Sequence, residues 1–236
     1  MTQASNNIRF FTALAGTLLL LGAIIAVLLI MDTAQAIRLL REDGPIEMMT
    51  VALYALAGGY WLVKTKAADL KWSWPFLALM AMFALRELDF HTRFTTMGIT
   101  KTRFYVSPDV ALSEKVFGVA VTVFFLWVLI LLFKRHFFQF FALLWQRSVV
   151  GIGVFLTGAL IVVSKSLDGL ARKLAGVGIE LSGDLNFIAT TMEEVLEMGI
   201  PLLMLLTIWA GLALQGRVES GAMIGSESTS RDGVSN

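Results

Sequence analysis

The feature that most constrains the fold is an apolar run without a single charged side chain, residues 10–31. At about 1.5 Å per residue, a helix of this length is long enough to cross the hydrocarbon core of a bilayer, which is roughly 30 Å thick. The apolar part of a signal peptide is shorter, about 7–15 residues. Ala34-Gln35-Ala36 has the small residues of a cleavage site, but the length of the run favours an uncleaved first membrane span.

Five further apolar segments follow, and together they predict an all-α integral membrane protein, a bundle of six transmembrane helices. Pro45, near the first position of the second span, favours a helix start, because a first-turn residue needs no N–H donor. Residues 1–214 would form the membrane domain, whereas residues 215–236 are rich in Ser and Gly, which predicts a disordered tail. The predicted spans cover about residues 10–31, 44–63, 74–91, 116–133, 149–167 and 191–214.

Composition excludes several classes of function. The 236-residue chain is 57% hydrophobic with a formal net charge of +1, so nothing indicates a nucleic-acid partner, and membrane lipid is the expected partner. The chain has no cysteine, which excludes disulfides, thiolate metal sites and a cysteine nucleophile. With only two histidines, any metal site must be rich in oxygen ligands.

Six spans place both termini on one side of the membrane. The connectors 64–71 and 134–147 are short and rich in Lys and Arg, and connectors of this kind tend to stay cytoplasmic. Because the two sides carry nearly equal totals of Lys and Arg, the orientation depends on how densely these two connectors are charged. We therefore expect cytoplasmic termini, in a bacterial-type inner (plasma) membrane.

Ionisable side chains gather toward one leaflet, opposite the basic connectors. This coincidence follows from the alternating direction of the spans, so it does not depend on which side faces the cytoplasm. Charged side chains at bilayer depth cost roughly 2.5–3.5 kcal/mol each on insertion scales, which makes them candidates for function. The members are Glu47 at the start of span two, Glu87, Asp89 and His91 at the end of span three, Asp168 at the end of span five, and Glu193, Glu194 and Glu197 in the first turns of span six.

Two pairs within this group predict a metal site. Glu87 and His91 are four residues apart, so on a continuous helix they share one face. Glu197 lies one turn from Glu193 and four residues before Pro201, which has no N–H to donate to the Glu197 carbonyl. Carboxylates and a free carbonyl are hard oxygen ligands. We therefore expect a divalent metal ion to be bound by Glu87, His91, Asp168, Glu193 and Glu197, with Glu87, His91 and Glu197 as catalytic residues.

Each member also has a structural explanation. Glu47 can complement the first backbone amides of its helix, and Glu193 and Glu194 follow Thr190 and Thr191 at capping-box spacing. Asp168 can pair with Lys165 or Arg172, which lie three and four residues away. Arg86 can serve as a counter-ion for Glu87, Asp89 or a carboxylate on another helix. Ser164 can bond its own backbone or add a hydroxyl to the site.

Three functions are compatible with this pattern. The first is divalent-cation-dependent hydrolysis of a lipid or lipid-linked substrate, with water activated by the metal. The second is a small proton- or cation-coupled transporter component, in which the carboxylates form a relay. The third is a structural or assembly protein whose polar cluster holds helices together. The layout loosely resembles the membrane hydrolases of the ceramidase type, but their paired histidines are missing, since His136 lies toward the opposite leaflet, and no residue role is assigned from that resemblance.

The orientation can be tested by cysteine labelling, because the chain has no cysteine of its own. With cytoplasmic termini, Thr100→Cys should react with an impermeant thiol reagent added to intact cells, and Ala67→Cys should be protected. Both should react after permeabilisation, which controls for accessibility. Labelling at position 67 with protection at position 100 would reverse the orientation.

Overall fold

The computed structural model describes the backbone of residues 3–232, and the side chains of that range except those of residues 3, 67, 68, 91 and 215–232. Within this range all regular structure is helical, and no strand is present. The helices are α1 (Gln3–Ile30), α2 (Thr33–Leu40), α3 (Pro45–Lys64), α4 (Ala67–Glu87), α5 (Phe90–Arg93), α6 (Thr102–Val106), α7 (Leu112–Trp145), α8 (Val149–Leu167), α9 (Leu170–Ala175) and α10 (Gly183–Asp232).

Five helical segments of the described chain are long and apolar enough to cross a membrane, which supports the predicted all-helical membrane fold. The count of six spans is not confirmed, because the apolar part of α4 is too short to cross a bilayer core. It carries Asp69 and Lys71 in its first turns and Arg86 and Glu87 in its last. Its uncharged middle, residues 72–85, measures only about 21 Å as a helix, less than a bilayer core. The five segments are Ala4–Ile30, Thr33–Lys64, Leu112–Trp145, Val149–Leu167 and Gly183–Leu214.

Helix α10 lies at the centre of the bundle and packs against α8, α3 and α1. Half of the residues in its apolar segment are buried, compared with 11% of those in the apolar segment of α7, which lies at the edge of the bundle. Gly199 in the middle of α10 allows this close approach. A Cβ added there would lie 2.8 Å from Leu21 Cδ1 of α1 and 2.8 Å from Leu160 Cδ2 of α8. A small residue at this position therefore lets two neighbouring helices contact α10 at one level.

The two ends of the bundle are distinct. Phe10 and Val149 pack in one apolar cluster with Leu214, so α1 begins and the apolar part of α10 ends at the same end, which we call the terminal end. At the other end Leu28 and Val195 belong to a second cluster. We call this the acidic end, because Glu193, Glu194 and Glu197 of α10 lie next to Val195 in the sequence.

Several helices are longer than predicted, because charged residues do not by themselves end a helix. Helix α7 continues through Lys134, Arg135 and His136 to Trp145, where the span had been predicted to stop at 133. The connector 32–43 contains α2, whose first turn is capped by the Asp32 side chain, which accepts the Gln35 N–H at 3.2 Å. Helix α10 begins at Gly183, not near residue 191.

Two predictions from the sequence need correction. The third span is not one helix over 74–91, because α4 ends at Glu87 and a turn follows, with Asp89 at a left-handed φ of 47°. Glu87 and His91 therefore do not share a face of a continuous helix, and the side chain of His91 lies outside the described part. The tail predicted to be disordered, residues 215–236, continues α10 as a helix as far as Asp232, since extending an existing helix is far easier than starting one, and residues 233–236 lie outside the described part.

The central glycine gives a prediction about stability. Gly199→Leu should lower the thermal unfolding temperature of the protein in detergent, because forcing extra volume into a packed interface costs about 1–3 kcal/mol. Gly16→Leu in α1 is the matched control, since no heavy atom lies within 4 Å of a Cβ added there. Equal unfolding temperatures for the two variants would show that α1 and α8 do not approach α10 at Gly199.

Candidate functional site

The acidic end contains a group of linked polar side chains that we call the charged cluster: Arg86 and Glu87 of α4, Ser164 and Lys165 of α8, Asp168 just after α8, and Glu197 of α10. Residues from three separate parts of the chain thus meet at one place. The sequence predicted this convergence from the alternating direction of the helices, and the structure brings four of the five predicted site residues, Glu87, Asp168, Glu193 and Glu197, to this end.

Glu197 is the centre of the charged cluster. Its side chain is only 7% exposed, and its Oε1 accepts a hydrogen bond from Ser164 Oγ at 3.1 Å. The same oxygen lies 2.5 Å from Lys165 Nζ and 3.3 Å from Arg86 Nη2. One buried carboxylate is therefore neutralised by two cations, which tie the ends of α4 and α8 to α10.

Arg86 joins two buried carboxylates through different nitrogens of its guanidinium. Nη2 contacts Glu197, whereas Nη1 lies 3.2 Å from Oε1 of Glu87, whose side chain is also 7% exposed. The planar, permanently charged guanidinium suits such a double role. The sequence had predicted Arg86 as a counter-ion for Glu87 or for a carboxylate of another helix, and both contacts are present.

Lys165 is shared in a similar way between Glu197 and Asp168, whose Oδ2 is 3.2 Å from Nζ. Partial burial raises the pKa of the Asp168 carboxyl, but the charges of Lys165, Arg86 and Lys173 outweigh this, so the pKa lies below its ordinary value. Lys173 Nζ in turn donates to the Lys165 carbonyl at 2.9 Å. The predicted pair of Asp168 with Lys165 is confirmed.

Glu193 and Glu194 differ from Glu197 in forming no ion pair with a described basic side chain. Both are half-buried, and within the described side chains neither accepts a hydrogen bond or forms an ion pair. They are nevertheless close enough to act on the charged cluster. Glu193 interacts electrostatically with Asp168 and Glu197 and, more weakly, with Lys165 and Arg86, and Glu194 interacts with Glu197. The carboxylates of Glu87, Asp168, Glu193, Glu194 and Glu197 thus outnumber the three basic groups of Arg86, Lys165 and Lys173 that lie among them.

The structural explanations for individual residues have mixed outcomes. Glu47 accepts a hydrogen bond from the Asp43 N–H at the start of α3, as expected for a residue that complements a helix start. The capping explanation for Glu193 and Glu194 is wrong, because α10 begins at Gly183, well before Thr190. Ser164 bonds to Glu197 and not to its own backbone.

The predicted metal site gains no support from this geometry. Among the described side chains, no group of three or more His, Asp or Glu residues is placed to hold a metal ion. The bonded oxygen of Glu197 already faces a hydroxyl and two cations. Pro201 leaves the Glu197 carbonyl without an N–H donor one turn later, as predicted, and α10 stays helical through this residue. Metal binding by Glu87, His91, Asp168, Glu193 and Glu197 stays a prediction.

Sequence reasoning missed two members of this region. Lys165 was expected to pair only with Asp168, although it also contacts Glu197 on another helix. Tyr54 of α3 is 3% exposed and interacts electrostatically with Glu87 and Glu197. Its position seven residues after Glu47 places it two turns further along the same face of α3, a spacing that would have identified it.

Comparisons with models of known families, with curated proteins and with solved structures find no match for this chain. Its function therefore has to be argued from the charged cluster itself.

The hydroxyl contact of the charged cluster gives a prediction. Ser164→Ala should destabilise the protein by about 1–3 kcal/mol, because it removes a hydrogen bond to a buried carboxylate. Ser166→Ala is the matched control on the same helix, since this exposed hydroxyl only donates to the Val162 carbonyl. Unfolding in detergent, followed by circular dichroism, measures both. Equal stability of the two variants would contradict the contact between Ser164 and Glu197.

Proposed function

We propose that this chain is a small membrane protein in which the charged cluster, with Glu193 and Glu194, takes up and releases protons or monovalent cations as part of coupled transport. The observation that supports this proposal is the contrast along one helix face. Glu197 is neutralised by Lys165 and Arg86, whereas Glu193, one turn away, has no basic partner within the described side chains. A carboxylate in an apolar environment must be neutralised, and here a proton or a cation can do so.

The relay would work by competition for Glu197. A proton or cation that moves from Glu193 or Glu194 onto Glu197 neutralises the negative charge that attracts Lys165 and Arg86. Lys165 then has Asp168 as its alternative partner, already at 3.2 Å, and Arg86 has Glu87, also at 3.2 Å. Because these cations hold α4 and α8 against α10, their release would loosen contacts between helices, which is the change that a transporter needs.

We further propose a bacterial-type inner membrane with cytoplasmic termini and surrounding lipid as the partner. The basic segments 64–71 and 134–147, which lie at the terminal end, support this orientation. It places the charged cluster near the non-cytoplasmic surface, where protons or cations can enter from outside the cell.

The two other functions are less well supported. Hydrolysis with a divalent metal needs several ligands around one ion, and within the described side chains the carboxylates of the charged cluster pair with basic groups instead. An assembly role agrees with the ion pairs that tie three helices together. It does not account for Glu193 and Glu194, which are half-buried and form no ion pair within the described part of the chain.

Glu197→Gln should abolish proton flux into liposomes driven by a potassium diffusion potential, because the amide can neither take up nor release a proton. Infrared difference spectra between mildly acidic and mildly alkaline pH should show a carboxylic acid band for the wild type. This band should be weaker in Glu193→Gln and in Glu194→Gln, since these two carboxylates form no ion pair within the described side chains. Glu193→Gln and Glu194→Gln should reduce the flux without abolishing it.

Glu180→Gln is the matched control, since Glu180 is an exposed carboxylate outside the bundle, in the connector between α9 and α10. Its spectra and flux should equal those of the wild type. If Glu197→Gln keeps the proton flux, the relay proposal is wrong. If it loses only stability, the assembly role is favoured, and stoichiometric divalent metal in the purified wild type would favour the hydrolase.

A further inference from the structure

At the terminal end, α4 and α7 hold two basic side chains against one indole ring. The guanidinium carbon of Arg135 lies 4.3 Å from the centre of the Trp72 ring, and Lys71 Nζ lies 5.8 Å from it. Arg135 Nη1 also donates to the Trp72 carbonyl at 2.9 Å. We call these three residues the basic indole site. The carbonyl contact and the stacking fix the position of Arg135 on a neighbouring helix.

Among the described side chains, no carboxylate neutralises the positive charges of the basic indole site. Within the described side chains, neither Lys71 nor Arg135 forms an ion pair with a carboxylate. The ion pairs between described side chains lie toward the acidic end. Asp69, two residues before Lys71, makes no ion pair with either of them. Two cations held at one ring repel each other, so the site favours an anion between them.

The surroundings of this site are those of a membrane–water boundary. Trp74 contacts Trp127 with ring centres 5.3 Å apart, and Phe76 contacts His136 at 5.2 Å, so aromatic pairs between α4 and α7 continue directly from Trp72. Trp residues concentrate at the level of lipid headgroups. Trp72 itself is 57% exposed, which leaves its ring and both cations accessible from the bilayer surface.

The free hydrogen-bond donors of Arg135 indicate which anion fits this site. Its contact with the Trp72 carbonyl uses only Nη1, so the remaining guanidinium N–H groups can donate to two oxygens of one phosphate. Lys71 adds a second positive charge on the same ring. Basic pockets between transmembrane helices bind anionic headgroups in this way. We propose that the basic indole site binds the phosphate of an anionic phospholipid, which reaches it laterally from the bilayer.

The experiment compares lipid retention by native mass spectrometry. Wild-type protein, purified in detergent and supplied with equal amounts of phosphatidylglycerol and phosphatidylcholine, should retain phosphatidylglycerol preferentially. Arg135→Gln should bind phosphatidylglycerol about tenfold more weakly, as expected for the loss of one charged hydrogen-bonded contact. Lys71→Gln, which removes an exposed charge without a hydrogen bond in the structure, should weaken retention while leaving the fold intact.

Arg103→Gln is the matched control, because Arg103 is an exposed basic residue in α6, away from the basic indole site. This variant should retain phosphatidylglycerol like the wild type. Excess inorganic phosphate should not displace the lipid, and displacement at concentrations similar to those of the lipid would indicate a site for free phosphate instead. Equal retention of the two lipids by the wild type would overturn the proposal. Unchanged retention by both Arg135→Gln and Lys71→Gln would overturn it as well.

Discussion

The structure depends on how one buried carboxylate is neutralised. Glu197 lies inside the most buried helix of the bundle, where an unpaired charge would cost several kcal/mol. Lys165 and Arg86 neutralise it from two other helices, and Ser164 adds a hydrogen bond. Because each of these groups must reach one oxygen atom, the rotation and height of α4 and α8 relative to α10 are fixed together. The packing of Leu21 and Leu160 on Gly199 then follows half a turn further along α10.

The same constraint makes the two ends of the bundle different. At the acidic end, carboxylates outnumber cations and are drawn into contacts between helices. At the terminal end, cations such as Lys71 and Arg135 lie on the surface, against aromatic rings and without carboxylate partners in the described part of the chain. Helix α4 connects the two, since its first turns carry Lys71 and its last turn carries Arg86. This mixed composition explains why α4 packs within the bundle although it is less apolar than the five candidate spans.

Much of the fold was predictable from apolar runs, and the bounds of α8 match the predicted segment 149–167, which Ser148 and Asp168 flank. Predictions failed where charge was taken to end a helix, as at Lys134 in α7, and where a helix was assumed to continue, as between Glu87 and His91. The meeting of carboxylates at one end was also predictable, since alternating direction requires it. The pairing of Lys165 with Glu197 was not, because it depends on helix rotation, which spacing in the sequence does not determine.

The position of Lys165 has a consequence for how this end of the bundle can change. Its ammonium contacts two carboxylates, one buried in α10 and one at the more exposed end of α8, at 2.5 and 3.2 Å. Because Lys165 lies between two carboxylates, it can move away from Glu197 and still keep Asp168 as its counter-ion. The movement therefore leaves no unpaired ammonium in the bilayer. Arg86 is placed in the same way between Glu197 and Glu87. Neutralising Glu197 would therefore remove its ion pairs to two helices at once, whereas neutralising Glu87 or Asp168 would leave both of those ion pairs in place.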